Sequence, residues 1–219
     1  MAIQSVLEKI ERTAVYPKSY NARDYFNLPE GSPFQLIEGE LIMSPSPLTE
    51  HQIISKNLEL IIYSYLKKNN IGLALNAPID VYLDNKNAFQ PDIIFISDGN
   101  KDIIKKHGID GSPDLVIEIL SPSNAYYDLK DKKYIYERSG VKEYVIVDPR
   151  IKSVEIFRIA GLLTDESQEG FSGKTDKAKK IPLKNKFRET VSAKEENDDS
   201  IFIKTLGLEI SLKEIFEGV

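Results

Sequence analysis

A glutamate stands inside an apolar run of strand length, Leu115-Val116-Ile117-Glu118-Ile119-Leu120. An ionised carboxylate is costly to bury unless a cation, hydrogen-bond donors or a metal meets it. Whatever this chain folds into must therefore bring a partner to Glu118. The run is led by Ser112-Pro113-Asp114, and a similar segment precedes it, with Gln90-Pro91-Asp92 leading into Ile93-Ile94-Phe95-Ile96. Both read as Pro-Asp pairs opening β-branched strands. No other internal repeat is visible.

The flanking patterns supply helices and more strands. Ser19 to Leu28 suits a short helix stopped by Pro29, Gly31 and Pro33, and Phe34 to Met43 reads as a hairpin turning at Glu38-Gly39. Ser46-Pro47 looks like a cap and first helical position ahead of Ile54, Leu58, Ile61, Ile62 and Tyr65 at helical spacing. That is the longest amphipathic helix, ending near Lys67-Lys68-Asn69-Asn70. Ile79, Val81 and Leu83 alternate as a half-buried strand, and a polar connection runs from Ser97 to Ser112.

After Glu118 a helix from about Asp128 to Ser139 closes at Gly140, and Glu143 to Val147 makes a further apolar strand. Strand, helix and strand at this spacing predict a parallel βαβ unit. Val154 to Ile159 then alternates as an edge strand. Residues 161–200 are polar and read as a solvated, flexible insertion, and their 171–190 stretch, with seven Lys or Arg, as a solvated run. Ile201-Phe202-Ile203 restores order, and Ser211 to Glu214 forms a capping box. The fold class this implies is α/β, with a central mixed β-sheet flanked by helices.

Composition removes several alternatives. The absence of cysteine excludes disulfides and cysteine-based zinc sites, and two histidines, His51 and His107, are too few for a histidine metal cluster. No apolar run is long enough to span a membrane, so a soluble, cytoplasmic protein is the expectation. A net charge of −5 argues against coating nucleic acid through bulk charge, though not against a local basic groove.

Asp92 and Glu118 on neighbouring strands would suit magnesium, which takes one or two carboxylates together with waters and substrate phosphate oxygens. A helical projection from Asp128 sets Lys132 amid Leu129, Ile135 and Tyr136, on the face that packs against the sheet. Lys130 and Lys133 fall off that face and read as solvated charges. An inward lysine needs a partner, and Glu118 is the nearest carboxylate in the pattern. Carboxylates on two strands beside such a lysine are the parts of a metal-dependent phosphodiesterase.

The combination resembles the PD-(D/E)XK nuclease superfamily, and within it the Uma-two family of restriction-type endonucleases. The resemblance rests on Gln35 to Leu41, Ser46-Pro47 before His51, Gln90-Pro91-Asp92, and Pro113 to Ser123. Asp128 through Lys132 to Tyr136, Gly140 to Tyr144, Val147-Asp148-Pro149 and Leu206 to Ile210 complete it. It spans about Tyr20 to Phe216 and implies a restriction-endonuclease-like sheet with residues 19–160 as the nuclease-like core. Residues 1–18 would be an arm, and 201–219 a strand and helix completing the core.

The resemblance further implies a magnesium-dependent deoxyribonuclease, with manganese as substitute. Asp92 and Glu118 would hold the metal, Lys132 would position the attacking water, and Gln35 and His51 would line the cleft. DNA is the implied substrate, and a homodimer would suit cutting two strands. Three departures stand out. Leu120 occupies the superfamily's usual lysine position, Gln35 stands where the family has glutamate, and Val145 replaces a tryptophan. The rival readings are an inert nuclease fold that binds nucleic acid or a partner, with Glu118 and Lys132 as a structural ion pair, and a small-molecule enzyme on the same fold.

Overall fold

A computed structural model describes residues 19–44, 46–121, 127–159, 187–196 and 198–219. The central sheet has strands β3 (Gly72–Asn76), β6 (Ile93–Ser97), β9 (Leu115–Ile119), β10 (Glu143–Asp148), β11 (Ser153–Ile159) and β12 (Phe187–Lys194). Their order is β12-β11-β10-β9-β6-β3. The predicted parallel pair is present: β9 runs parallel to β10, with Ile117 opposite Val145 and Glu118 opposite Ile146. β6 lies antiparallel on the other side of β9, so the sheet is mixed.

A second sheet, ordered β2-β1-β5-β4-β8-β7, contains β1 (Phe34–Ile37), β2 (Glu40–Met43), β4 (Val81–Asp84), β5 (Asn87–Phe89), β7 (Ile104–Lys105) and β8 (Gly108–Asp110). The hairpin turns at Glu38-Gly39 as expected. Both residues have positive φ, 50° and 85°, which matches the twist of the flanking strands.

Side-chain alternation along β9 assigns its two faces. Leu115, Ile117 and Ile119 pack against Ile54, Leu58, Ile62 and Leu66 of helix α2 (Thr49–Asn69). A small hairpin of β13 (Ser200–Ile203) and β14 (Leu208–Ser211), with the short α4 (Leu212–Ile215), shares that core. Val116 and Leu120 face the other way, toward Ile135 and Tyr136 of α3 (Lys133–Ser139) and toward the second sheet. Glu118 has the parity of Val116 and Leu120, so the chain commits it to the α3 side. Burying each large aliphatic here contributes about 1.5–3 kcal/mol, which holds the sheet rigid beneath the carboxylate.

Several elements differ from the sequence expectation. The first helix, α1, is only Ala22–Phe26, capped by the side chain of Asn21. Helix α2 begins at Thr49, with Leu48 extended at φ −76° and ψ 164°, so Ser46 is too far upstream to cap it. Ser211 precedes α4 but makes no capping bond; the Leu212 N–H donates instead to the Asp199 carbonyl.

The connection from Ser97 to Ser112 contains a 3₁₀ turn and the strands β7 and β8, whose two- and three-residue lengths carry no readable period. Strands β3 and β5 were likewise not expected. β3 pairs with β6, and β5 returns antiparallel to β4 across the Asn85-Lys86 turn.

The polar stretch after Ile159 is not an insertion throughout. Phe187 to Lys194 forms β12 and covers β11, which is therefore not an edge. Phe187 stacks near Phe157 and Tyr144, while Val191 and Ala193 face the α2 core. Two alternating apolar residues suffice because β11 supplies a complete hydrogen-bonding edge. The arm, residues 1–18, and all of the basic run before Phe187 lie outside the described residues. No described helix is long and apolar enough to cross a membrane.

Candidate active site

The β6–β9 register, Ile93 opposite Ile117, puts Asp92 opposite Glu118 one step beyond the ladder. Asp92 is held there by its neighbour strand, its Oδ2 accepting the Ile119 N–H at 2.7 Å. Its Oδ1 lies 3.1 Å from Nε2 of His51, at the start of α2. The two carboxylates line one cleft of about 390 Å³ together with Gln35, His51, Lys132 and Ser121.

Glu118 is 3 % exposed, and its Oε1 accepts from Lys132 Nζ at 3.0 Å and from the Tyr136 hydroxyl at 2.8 Å. Lys132 is equally buried. The segment Tyr127–Lys132 is wound as a π-helix before tightening into α3, so the projection from Asp128 is invalid across its first turn. Its result holds because Lys132, Ile135 and Tyr136 sit at the start of the α-helical part, where spacings of three and four residues share a face. A wide turn of this kind is common at functional sites. Lys130 is exposed, and Lys133 lies 3.5 Å over the Phe157 ring.

Gln35 is buried in the cleft wall, donating to Ser44 Oγ at 2.6 Å and accepting from the Gln90 N–H at 3.2 Å. Its amide is thus a neutral brace in a site where a glutamate would add charge. His51 is 8 % exposed, and its buried Nδ1 has no hydrogen-bond partner among the described residues. His107 lies away from this cleft, edge-on to Phe26 and Tyr82. Leu120 and Val145, at two positions where this chain departs from the family pattern, are both buried in the core.

Among the described residues no group of three or more His, Asp or Glu side chains is close enough to form a metal cage. Two facing carboxylates are nevertheless a fitting donor set for a hard cation that keeps waters and completes its shell on substrate phosphate. That chemistry fits magnesium or manganese.

The other Pro-Asp pair has a different use. Asp114 is buried and accepts from the Ser97 N–H at 2.8 Å, and the Lys142 ammonium lies 2.6 Å from its other oxygen. Burial pushes its carboxyl up, but Lys142 and the Ser97 N–H outweigh this and hold it below the usual range. Asp114 therefore locks the entry of β9 to β6 and takes no part in the cleft.

Sequence reasoning missed two buried groups. Tyr136 was assigned only to packing, yet its hydroxyl orients Glu118. Glu143 opens β10 fully buried and accepts from Arg158 Nε at 2.7 Å, and from Thr205 N–H and Oγ1 at 2.9 and 2.7 Å. Arg158 also donates to the Phe202 carbonyl, so this ion pair staples the β13–β14 hairpin to the sheet. The Arg158 charge inside an alternating strand was the available signal.

A mixed sheet between helices, with two strand-borne carboxylates and a helix-borne lysine at one cleft, defines the restriction-endonuclease-like class of α/β proteins. The chain belongs to the Uma2 family, described as "Putative restriction endonuclease", which matches residues 22–172. It is also similar to the crystal structure of a "putative nuclease belonging to DUF820" from Anabaena variabilis. That likeness has a TM-score of 0.66 at 21 % identity and covers 90 % of this chain and 97 % of that one, which supports the fold. No curated protein matches the chain.

Proposed function

We propose that this protein is a metal-dependent endonuclease hydrolysing DNA phosphodiester bonds. The observation that carries the reading is the facing of Asp92 and Glu118 across β6 and β9, with Lys132 on Glu118. Asp92 and Glu118 would hold magnesium, or manganese in its place. When bound, such a cation supplies Lewis-acid charge to the scissile phosphate and a more acidic water.

The chain's own groups do the rest. Ile119 N–H and His51 fix Asp92, and Tyr136 fixes Glu118, so neither carboxylate has to be ordered when substrate arrives. Lys132 Nζ lies 3.0 Å from Glu118, and its ammonium would orient the attacking water and offset negative charge developing on the phosphate. Cutting both strands of a duplex would engage two copies of the chain.

The specific observation favouring an inert, binding-only fold is the closed, buried Glu118–Lys132 pair, together with neutral Gln35 in place of a third acid. Calorimetric titration of manganese or magnesium into the parent, Asp92→Ala and Glu118→Ala separates the two. The nuclease reading expects binding in the parent that both substitutions abolish. Binding that survives both would mean the metal sits elsewhere. A parent that binds neither cation, with or without a non-cleavable DNA strand, would leave the inert reading.

A further inference from the structure

A second pocket of about 240 Å³ adjoins the cleft, sharing Gly31, Ser32 and Gln90 with it. Its chemistry is different. Aromatic rings form a chain along it: Tyr25 lies 6.0 Å from Tyr82, Tyr82 lies 5.7 Å from His107, and His107 lies 5.7 Å from Phe26. Phe26 is 58 % exposed and lies edge-on to His107 in the wall of the pocket.

The polar group in the pocket is Asp80, whose Oδ1 accepts from the Tyr25 hydroxyl at 2.8 Å and from Gln90 Nε2 at 2.9 Å. The Tyr82 hydroxyl also interacts with Asp80, so of the about four acceptor sites of an ionised carboxylate one remains for a ligand. The Tyr25 hydroxyl shares its one proton between Asp80 Oδ1 and the Phe34 carbonyl, whose oxygen lies 3.0 Å away, and Gln90 is two residues from Asp92.

Among the described residues no lysine or arginine lines this pocket, and Asp80 is joined there by Glu30, a lining that disfavours phosphate. Aromatic surface with a fixed acceptor suits a flat ring bearing an N–H donor. We propose that this pocket takes an unpaired, amine-bearing nucleobase of a DNA strand whose phosphate lies in the adjoining cleft. Asp80 accepts from the exocyclic amine, as carboxylates do from cytosine N4, while the aromatic side chains stack on the ring. A paired base cannot reach such a pocket, so the substrate is single-stranded or presents an extrahelical base. The inference rests on the nuclease reading and adds to it the substrate class and a preference.

The test is fluorescence anisotropy with short labelled oligo-dC, oligo-dT and an abasic strand of equal length, in EDTA so that nothing is cleaved. The parent should bind oligo-dC roughly tenfold tighter than oligo-dT, and the abasic strand most weakly. Asp80→Asn keeps an oxygen for Tyr25 and Gln90 but presents a donor, so it should abolish or reverse the dC preference. Phe26→Ala, at an exposed position that cannot unfold the core, should weaken both homopolymers roughly tenfold and leave the abasic strand unchanged. Asp92→Ala should leave the dC-to-dT ratio alone.

If the parent binds all three strands alike, the pocket holds no base while the nuclease reading stands. If it binds none, the pocket proposal fails, and DNA as substrate is then decided separately by the same titration with a non-cleavable strand and magnesium. A preference lost in Asp92→Ala but kept in Asp80→Asn would also overturn the assignment.

Discussion

Replacing Lys132 with methionine tests the centre of the site without emptying it. Methionine keeps the unbranched, buried stem and removes only the ammonium, so the packing cost is small. Lys132 and Glu118 have side chains 3 % and 4 % exposed and meet at 3.0 Å, so solvent does not replace the lost partner. Removing one member of a buried pair typically costs 3–5 kcal/mol. The Tyr136 hydroxyl stays on Glu118, which places Lys132→Met at the lower end, about 3 kcal/mol.

Urea unfolding followed by circular dichroism should show the midpoint falling with an unchanged slope. Thermal unfolding should shift down by roughly 6–12 °C for a chain of this size. Glu118→Gln in the Lys132→Met background removes the second charge while keeping an acceptor for Tyr136. The double variant should return to within about 1 kcal/mol of the parent.

A loss below about 1 kcal/mol in Lys132→Met would refute the reasoning, because it would mean the pair is hydrated. So would a double variant that simply sums the two single losses, since a true pair couples by about 0.5–3 kcal/mol. Recovery in the double variant would mean the parent retains the charges for a reason other than stability.

Two further outcomes follow from the same geometry. The depressed Asp114 carboxyl makes a stability contribution that is fully present above the ordinary aspartate value and is lost as pH falls through its folded value. Asp114→Asn should cost about 1–3 kcal/mol at neutral pH and nothing at strongly acid pH, read as converging acid-unfolding curves. Gln35→Glu adds a third carboxylate to a cleft already lined by Asp92 and Glu118 and should tighten manganese binding several-fold in calorimetry. Unchanged affinity there would mean Gln35 is only a brace between Ser44 and Gln90.

Local pattern determined a large part of this protein. The β-branched runs after Asp92 and Asp114, the 3.6-residue period of α2, the Glu38-Gly39 turn and Gly140 closing α3 are each written in a few consecutive residues. A charge inside an apolar strand and a lysine on an apolar helix face were enough to pair Glu118 with Lys132, because burial leaves such groups no alternative. Short elements were different. β3, β7, β8 and β12 exist because a neighbouring strand offers its hydrogen-bonding edge, and that edge is invisible in the segment's own composition.

The sequence reading pairs Asp92 with Glu118, but the reason that Asp92 and not the similar Asp114 reaches the cleft lies in the tertiary structure. Asp92 and Asp114 open alike, but antiparallel β6 and β9 put the start of one strand beside the end of the other. Asp92 therefore meets Glu118 at one end of the sheet, while Asp114 meets Ser97 and Lys142 at the opposite end. Register is a property of two strands together, and no reading of either strand by itself contains it.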